Sequence, residues 1–397
     1  MTLANCNDRL QELTHELVRN YPYYHKWNYP GVSFEELPII DKATVNESRD
    51  SLCLTDAGSL LESFTSGSTG IPFRCIKTED EQMKLSMAIH RHRRKWGLPL
   101  RYRSVLLGDT IFSHPRMVTH FANQIIKTSP HMIQGRCSAL YKIAEYFSKK
   151  SGLQVPSSLL FVQNWGEFLQ PAQRALIESV FRVPLLDYYG MEEMWLIAFS
   201  NKQGQLEIDE QFVHLEIIDP HTGQCLDAGE YGDIVITSYA MKSLPFVRYR
   251  SGDIGRVLYD PATKKKILEL MPFRTSQIKL PDRTVDSSIF RYFDAFYQQL
   301  AVDMQIKQFQ MIQVSYTSFR LVVATEGYHK EKLDAATKQL EALLKQTLFT
   351  NEVSISIECV KQISPHPVSG KCQPFVSMIM DTTYDANGKI YSEGGRP

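Results

Sequence analysis

The chain has 397 residues, 43% hydrophobic and 22% charged, and its 44 Lys and Arg balance 44 Asp and Glu. That composition belongs to a globular protein with room for two domains. Zero formal charge excludes a broad duplex-binding face and a polybasic membrane anchor.

The opening residues "MTLANCNDRLQEL" have no apolar core behind a basic start, so no signal peptide is expected. No run reaches the roughly 20 apolar residues that cross a bilayer. Seven dispersed cysteines, none in C-x-x-C spacing, suit a reducing cytosol. The expectation is a soluble cytoplasmic protein with neither nucleic-acid nor membrane partners.

Helical periodicity from Cys6 breaks at Pro22 and its aromatic neighbours. A hydroxyl-rich stretch, "ESFTSGSTGIPFRC" (Glu62–Cys75), precedes a helix that ends in the basic cluster Arg91–Gly97, which reads as a solvated helix end. "RSVLLGD" (Arg103–Asp109) reads as a buried strand, "SALYKIAEYFSKKSG" as a helix closed by glycine, and "SSLLFVQNWGE" as a strand entering a turn. "PAQRALIESVFRVPLLDYYGMEEMW" supplies a helix and then a strand ending at Tyr188–Gly190. Such alternation predicts a largely parallel sheet with loops gathered at its carboxyl edge.

From Gln211 the pattern alternates apolar and polar residues through "FVHLEIIDPHTGQCLDAGEYGDIVITSY", which predicts antiparallel β structure. Beyond Arg274 a helix, two strands, a long helix and a further strand make a compact α+β unit. The expected fold class is therefore α/β. A large N-terminal domain, residues 1–275, holds mixed, largely parallel sheets plus an antiparallel β section, and residues 276–397 form a small mobile α+β domain.

Four loops carry candidate chemistry. Thr65 to Pro72 is either a flexible linker or a phosphate cradle, since glycines let backbone N–H groups turn toward an anion and hydroxyls add donors. It lacks the Gly-Lys-Ser/Thr ending of an ordinary P-loop. Tyr188 to Glu193 offers an aromatic pair for a base and a carboxylate for Mg²⁺, or else a turn with two surface glutamates. Arg248 to Asp253 places an Asp after glycine, suited to ribose hydroxyls, or else an ion-paired arginine–aspartate turn. Ser364 to Lys371 ends in a lone lysine after Ser-Gly.

The ordered series TSGSTGxP, YGxxE, a GDIVIT strand followed by RYRSGD, and a terminal SGK resembles the adenylate-forming superfamily of acyl- and aryl-CoA ligases and adenylation domains. It is most similar to the phenylacetate–CoA ligase-like and capsule-biosynthesis branch. "FEELPIIDK", "NWGE", "HLEIIDPHTG", "KLPDRTV" and "FQMIQ" echo the same branch, so the resemblance spans residues 30–378.

That resemblance implies roles position by position. Thr65, Ser66, Gly67, Ser68, Thr69 and Gly70 would wrap the β- and γ-phosphates of ATP, with Thr65 also serving catalysis. Gly166, Glu167, Asp187, Tyr188, Tyr189 and Gly190 would line the adenine pocket, with Tyr189 under the base. Glu193 would bind Mg²⁺, Asp253 the ribose and Arg274 the ribose–phosphate edge, while the small domain would bring in Lys371 for adenylation. His114, Trp165, Tyr188, Gly190 and Trp195 would border the acid, and an aromatic acid is expected.

The implied reaction joins a small carboxylic acid to AMP and passes it to a thiol of CoA or of an acyl or aryl carrier protein; a homodimer is the assembly considered. Three positions depart from the family pattern. Glu192 stands where Thr is usual, Gln277 where the junction carries Asp, and Phe73-Arg74 where many relatives carry Lys after the proline. An adenylating ligase with an amine or hydroxyl acceptor, or a degenerate ATP-binding homologue, fits the same motifs.

Overall fold

The computed structural model describes residues 3–54, 59–65, 73–274, 277–286, 289–290, 293–325, 330–363, 372–379, 382–384 and 390–392. The chain divides into two compact units, one of residues 1–270 and a second that begins at Met271.

In the first unit, a four-stranded parallel sheet runs in the order Ser104–Leu107, Met132–Gly135, Phe161–Asn164, Leu185–Leu186. Helices Pro115–Thr128, Cys137–Lys149 and Pro171–Phe181 supply the apolar residues that cover one face, where Val105, Ile133 and Val162 meet Ile125, Ile143 and Ile177. Helix Glu79–Arg94 lies on the other face, against Met132, Phe161 and Leu186. The stretch expected to be a buried strand is an edge strand, buried on one face only: Val105 and Leu107 are buried, while Leu106 on the other face stays exposed.

The larger sheet has seven strands in the order Val213–Ile218, Gly232–Ser238, Tyr249–Tyr259, Lys266–Arg274, Leu206–Ile208, Ala198–Ser200, Tyr188–Tyr189. Its first three strands pair antiparallel, as the alternation from Gln211 predicts. The chain leaves the parallel sheet at Leu186 and joins the antiparallel one at Tyr188, so Asp187 is the joint between them. The expected α/β class holds, with the antiparallel sheet the larger of the two.

Helix Glu79–Arg94 starts from a capping box. Thr78 Oγ1 accepts from Glu81 N–H at 3.2 Å, and Glu81 Oε2 accepts from Thr78 N–H at 2.8 Å. The other oxygen of buried Glu81 accepts the N–H groups of Lys242 and Ser243, fixing the helix to a distant loop. Its basic last turn complements the helix dipole, and Arg94 and Lys95 are exposed as expected, but two of its residues turn inward. His92 is buried, with Nε2 2.8 Å from Asp209 and its ring stacked on Phe199. Arg93 turns onto the parallel sheet. Tertiary packing has overridden the composition of the segment.

The second unit holds a four-stranded sheet in the order Ser354–Val360, Ser318–Ala324, Gln308–Gln313, Phe375–Ser377, with helices Asp294–Asp303 and Lys330–Thr347. Leu333, Ala336, Leu340 and Leu344 recur at helical spacing and enter one core with Phe290, Phe293, Met311 and Leu321. Among the described residues, no helix is long and apolar enough to cross a membrane.

The alternative reading of 248–253, an ion-paired arginine–aspartate turn, gives way to a longer-range contact. Arg248 is buried with φ at 46°, and its Nη2 and Nε donate to Glu216 at 2.9 and 3.2 Å, while Nη1 donates to Leu37 O at 2.9 Å. Tyr249, the next residue, begins a strand. Removing one partner of a buried, hydrogen-bonded pair strands the other charge and costs about 3–5 kcal/mol. Arg248→Met is expected to lower unfolding free energy by that order in urea titration with an unchanged m-value. A loss below about 1 kcal/mol would mean the pair is not buried in solution.

Candidate active site

The site begins at the carboxyl edge of the parallel sheet. Asn164, wholly buried at the end of Phe161–Asn164, donates from Nδ2 to Glu167 O at 2.9 Å and to Asp187 Oδ1 at 2.8 Å. Its Oδ1 is buried with no partner, an orphaned acceptor at the place where the resemblance puts adenine, whose amino group is a donor. Asp187 also accepts from Tyr188 N–H at 3.0 Å, and its own N–H donates to Ser200 Oγ at 2.7 Å. Burial pushes the Asp187 carboxyl above its ordinary value, with the Asn164 bond and Arg174 opposing.

Gly166 has φ at 77°, in the left-handed region that suits glycine, with open space where a Cβ would lie. Glu167 turns to the start of helix Cys137–Lys149, where its Oε2 accepts from Ser138 N–H at 3.0 Å. An anion there meets unpaired N–H groups and the positive end of the dipole.

The turn after Tyr189 is closed by a close approach. Tyr188 Oη donates to Trp195 O at 2.6 Å, and Trp195 N–H donates to Met191 O at 2.7 Å. Trp195 itself has φ at 56°, unusual for a bulky residue. A Cβ on Gly190 would stand 1.7 Å from Trp195 O, so no residue but glycine fits. Tyr188 is half-buried, and desolvation raises its phenol well above the usual range.

This turn sends its two glutamates to different partners. Glu193 is 3% exposed, and its Oε1 accepts from Tyr249 Oη at 2.9 Å with Lys42 Nζ at 3.5 Å. Glu192 Oε1 accepts from Ser63 Oγ at 2.6 Å, and Lys77 Nζ lies 3.6 Å away. Lys77 Nζ also donates to Glu192 O, and it sits 5.7 Å from the Trp195 ring centre, whose Nε1 faces Glu192 at 3.4 Å. Ser63 and Lys77 come from the paired strands Leu60–Thr65 and Phe73–Thr78, where Thr65 is opposite Phe73. A short chain of polar contacts thus ties the Tyr-Gly turn to the strands that flank the hydroxyl-rich loop.

Tyr189 Oη donates to Asp253 Oδ2 at 2.8 Å. Gly252, at φ 78°, turns the backbone just before Asp253, whose N–H donates to Ser251 Oγ at 3.0 Å. The residues expected under the base and on the ribose are therefore direct partners.

Not all candidates are joined to this cluster. His114 is exposed and caps helix Pro115–Thr128, its Nδ1 accepting from Arg116 N–H at 3.1 Å. Trp165 lies beside Arg136, 5.8 Å from the guanidinium. Among the described residues, no ring contact links Trp165 to Tyr188 or Trp195; Tyr188 meets Phe199 instead. Thr65 ends its strand, and Ser66, Gly67, Ser68, Thr69, Gly70 and Lys371 lie outside the described residues, as does the side chain of Arg274.

Sequence reasoning assigned no role to Lys42, Lys77, Ser63, Asn164 or Tyr249. Lys42 closes "FEELPIIDK", Asn164 opens "NWGE" and Tyr249 sits inside "RYRSGD", all segments marked by the resemblance. Lys77 had its own signal. Phe73, Cys75 and Lys77 share the buried face of one strand, and a lysine in that series needs an anion.

Mg²⁺ fits Glu193. Among the described residues no group of three His, Cys, Asp or Glu gathers, so a dication here would complete its shell from phosphates and water, as Mg²⁺ commonly does at nucleotide sites.

No family model matches the chain. It is 27% identical over 223 residues to a phenylacetate–coenzyme A ligase of Pseudomonas putida, covering 53% of this chain and 48% of that protein. Against the phenylacetate–coenzyme A ligase of Escherichia coli (strain K12) it is 26% identical over 263 residues, 64% and 56% of the two chains. The chain thus spans about half the length of these curated relatives. A crystal structure of 2-hydroxyisobutyryl-CoA ligase in the postadenylation state, in complex with 2-HIB-AMP, matches 95% of this chain and 90% of that one, with TM-score 0.68 and 15% identity. The fold is that of the adenylate-forming ligases. In sequence the chain is similar to phenylacetate–CoA ligases over about half of their length.

Lys77 is buried and Glu192 about one-third exposed, so the pair should couple by about 1–2 kcal/mol. In urea titrations, Lys77→Met and Glu192→Thr should each destabilise, and the double variant should cost less than their sum by that amount. Simple additivity would show that the two side chains act independently.

Proposed function

We propose that this chain activates a carboxylic acid with ATP and hands the acyl group to a thiol. The observation that supports the reading is the hydrogen bond from Tyr189 Oη to Asp253, which joins the residues expected under the base and on the ribose, with Glu193 of the same turn bonded to Tyr249 on the strand that carries Asp253. Relatives named as phenylacetate–CoA ligases support an aromatic acid and CoA as acceptor, with a carrier-protein phosphopantetheine as the other thiol of the same chemistry.

A carboxylate oxygen of the acid bonds to the α-phosphorus, the bond from that phosphorus to the bridging oxygen breaks, and pyrophosphate leaves. The thiolate then bonds to the acyl carbon, and AMP departs with the electrons of the broken C–O bond. Both partners of the first step are anionic, so the protein's task is positioning and positive charge. Asp253 and Tyr189 hold the nucleoside, the amides of residues 66–70 and Lys371 would face the phosphates, and Glu193 would hold Mg²⁺, which supplies neutralising charge when bound. No nucleophilic side chain is needed. The setting proposed is the cytoplasm, where ATP and CoA are available.

Asp253→Ala removes a charged acceptor for ribose and leaves Tyr189 Oη without that partner. Hydrogen bonds to charged groups contribute about 1.5–3 kcal/mol, so ATP affinity measured by calorimetry should fall at least tenfold with the fold intact. Unchanged affinity would remove Asp253 from the site.

Pyrophosphate exchange into ATP tests the reaction, across aromatic, fatty and amino acids. Aromatic acids should support it best. Lys371→Ala should bind ATP nearly normally, lose about a hundredfold to a thousandfold in exchange, and still transfer the acyl group from chemically prepared adenylate. No exchange with any acid refutes adenylation, and wild-type exchange by the alanine variant refutes the role of Lys371.

A further inference from the structure

Arg93 occupies an inward position on helix Glu79–Arg94. Ile89, Arg93 and Trp96 follow one another at helical spacing, and Ile89 and Trp96 pack on the cluster that includes Met132, Phe161 and Leu186. The guanidinium is held in place by amide oxygens. Its Nε donates to Gln163 Oε1 at 2.8 Å and its Nη2 to Gln134 Oε1 at 3.0 Å. Tyr102 and Tyr188 stand beside it. Every one of these neighbours is neutral, and among the described residues no Asp or Glu pairs with Arg93. Burial lowers its pKa, yet arginine stays protonated in a protein.

A desolvated cation without a counter-ion is costly, and buried charges are normally paired. The contrast within the same unit is plain, since buried Arg248 has Glu216 and buried Lys77 has Glu192. The location matters equally. Gln163 directly precedes Asn164, the residue that binds Asp187, and Tyr188 lies between Asp187 and Tyr189. Arg93 therefore stands beside Tyr188, next to the candidate adenine residues. Two glutamines orient the fork without neutralising it, which prepares it for an acceptor-only anion.

We propose that Arg93 is the receptor for a second carboxylate on the acid that this chain activates. This rests on the adenylation reading and names its substrate class: an aromatic diacid, one carboxylate directed to the phosphates and the other to Arg93. The residue is a specificity determinant and takes no part in the bond changes.

Exchange assays with benzoate, phenylacetate, isophthalate and terephthalate test it. At least one diacid should show a KM about tenfold or more below that of benzoate, the range expected for a desolvated charge pair. Arg93→Met should erase that preference while leaving the KM for ATP within about twofold, and Arg93→Lys, which keeps the charge without the fork, should restore it only in part. Monoacids serving the wild type as well as diacids, or a diacid preference that survives Arg93→Met, overturns the proposal. If no acid supports exchange, the adenylation reading fails separately. Calorimetry then still decides Arg93: isophthalate or terephthalate binding to the wild type and lost in Arg93→Met supports the receptor, and no binding of either diacid to the wild type overturns it.

Discussion

The hydrogen bond from Tyr188 Oη to Trp195 O, closing directly over Gly190, is the constraint from which the site's geometry follows. Only a residue without a Cβ lets the two backbones approach so closely. The closure holds Trp195 in left-handed backbone conformation, which costs of order 1–3 kcal/mol and persists only where the surroundings over-determine it. Those surroundings are visible: Met191 O receives the Trp195 N–H, and Glu192 receives the indole Nε1. With the turn so fixed, adjacent glutamates diverge, one toward Tyr249 and Lys42, the other toward Ser63 and Lys77.

Asp187 has the complementary task. It is the single residue between the last parallel strand and the first strand of the antiparallel sheet, and its carboxylate is held by Asn164 from one sheet while its N–H is held by Ser200 from the other. The two sheets are thereby locked in register where the candidate adenine residues emerge. Ligands of open α/β sheets bind at this carboxyl margin because the loops there diverge and leave a crevice.

Much of this was legible in the sequence because the governing signals were local. Alternation from Gln211 announced antiparallel pairing, and the stretch Lys330–Thr347 announced the long helix that forms there. The order of the motifs set Tyr189 and Asp253 in one site, and the structure joins them by a hydrogen bond. What escaped were long-range pairings. Nothing near Arg248 announces Glu216, nothing near Lys77 announces Glu192, and the basic run at Arg91 conceals one buried histidine and one inward arginine. Charge composition reports on a segment's average environment. Which face of a helix meets a sheet is decided by residues far away in the chain, and that decides which charges are desolvated.

Glu192 shows how the same limit bears on function. Set against the family pattern alone, a glutamate in place of a threonine looks like loss, a hydroxyl removed and an unwanted negative charge placed beside phosphates. The structure supplies the other half of the exchange. Lys77, 4% exposed on the inward face of its strand, offsets that charge and adds a bond to the Glu192 carbonyl. A lone glutamate there would repel the nucleotide, and a lone lysine would be a buried charge without a partner, costly in either case. Together they are close to neutral and mechanically useful, since they join the strands beside the hydroxyl-rich loop to the turn that carries Glu193. The altered motif and its partner form one unit, and a site eroding without constraint would have no physical reason to keep a desolvated lysine at the matching position.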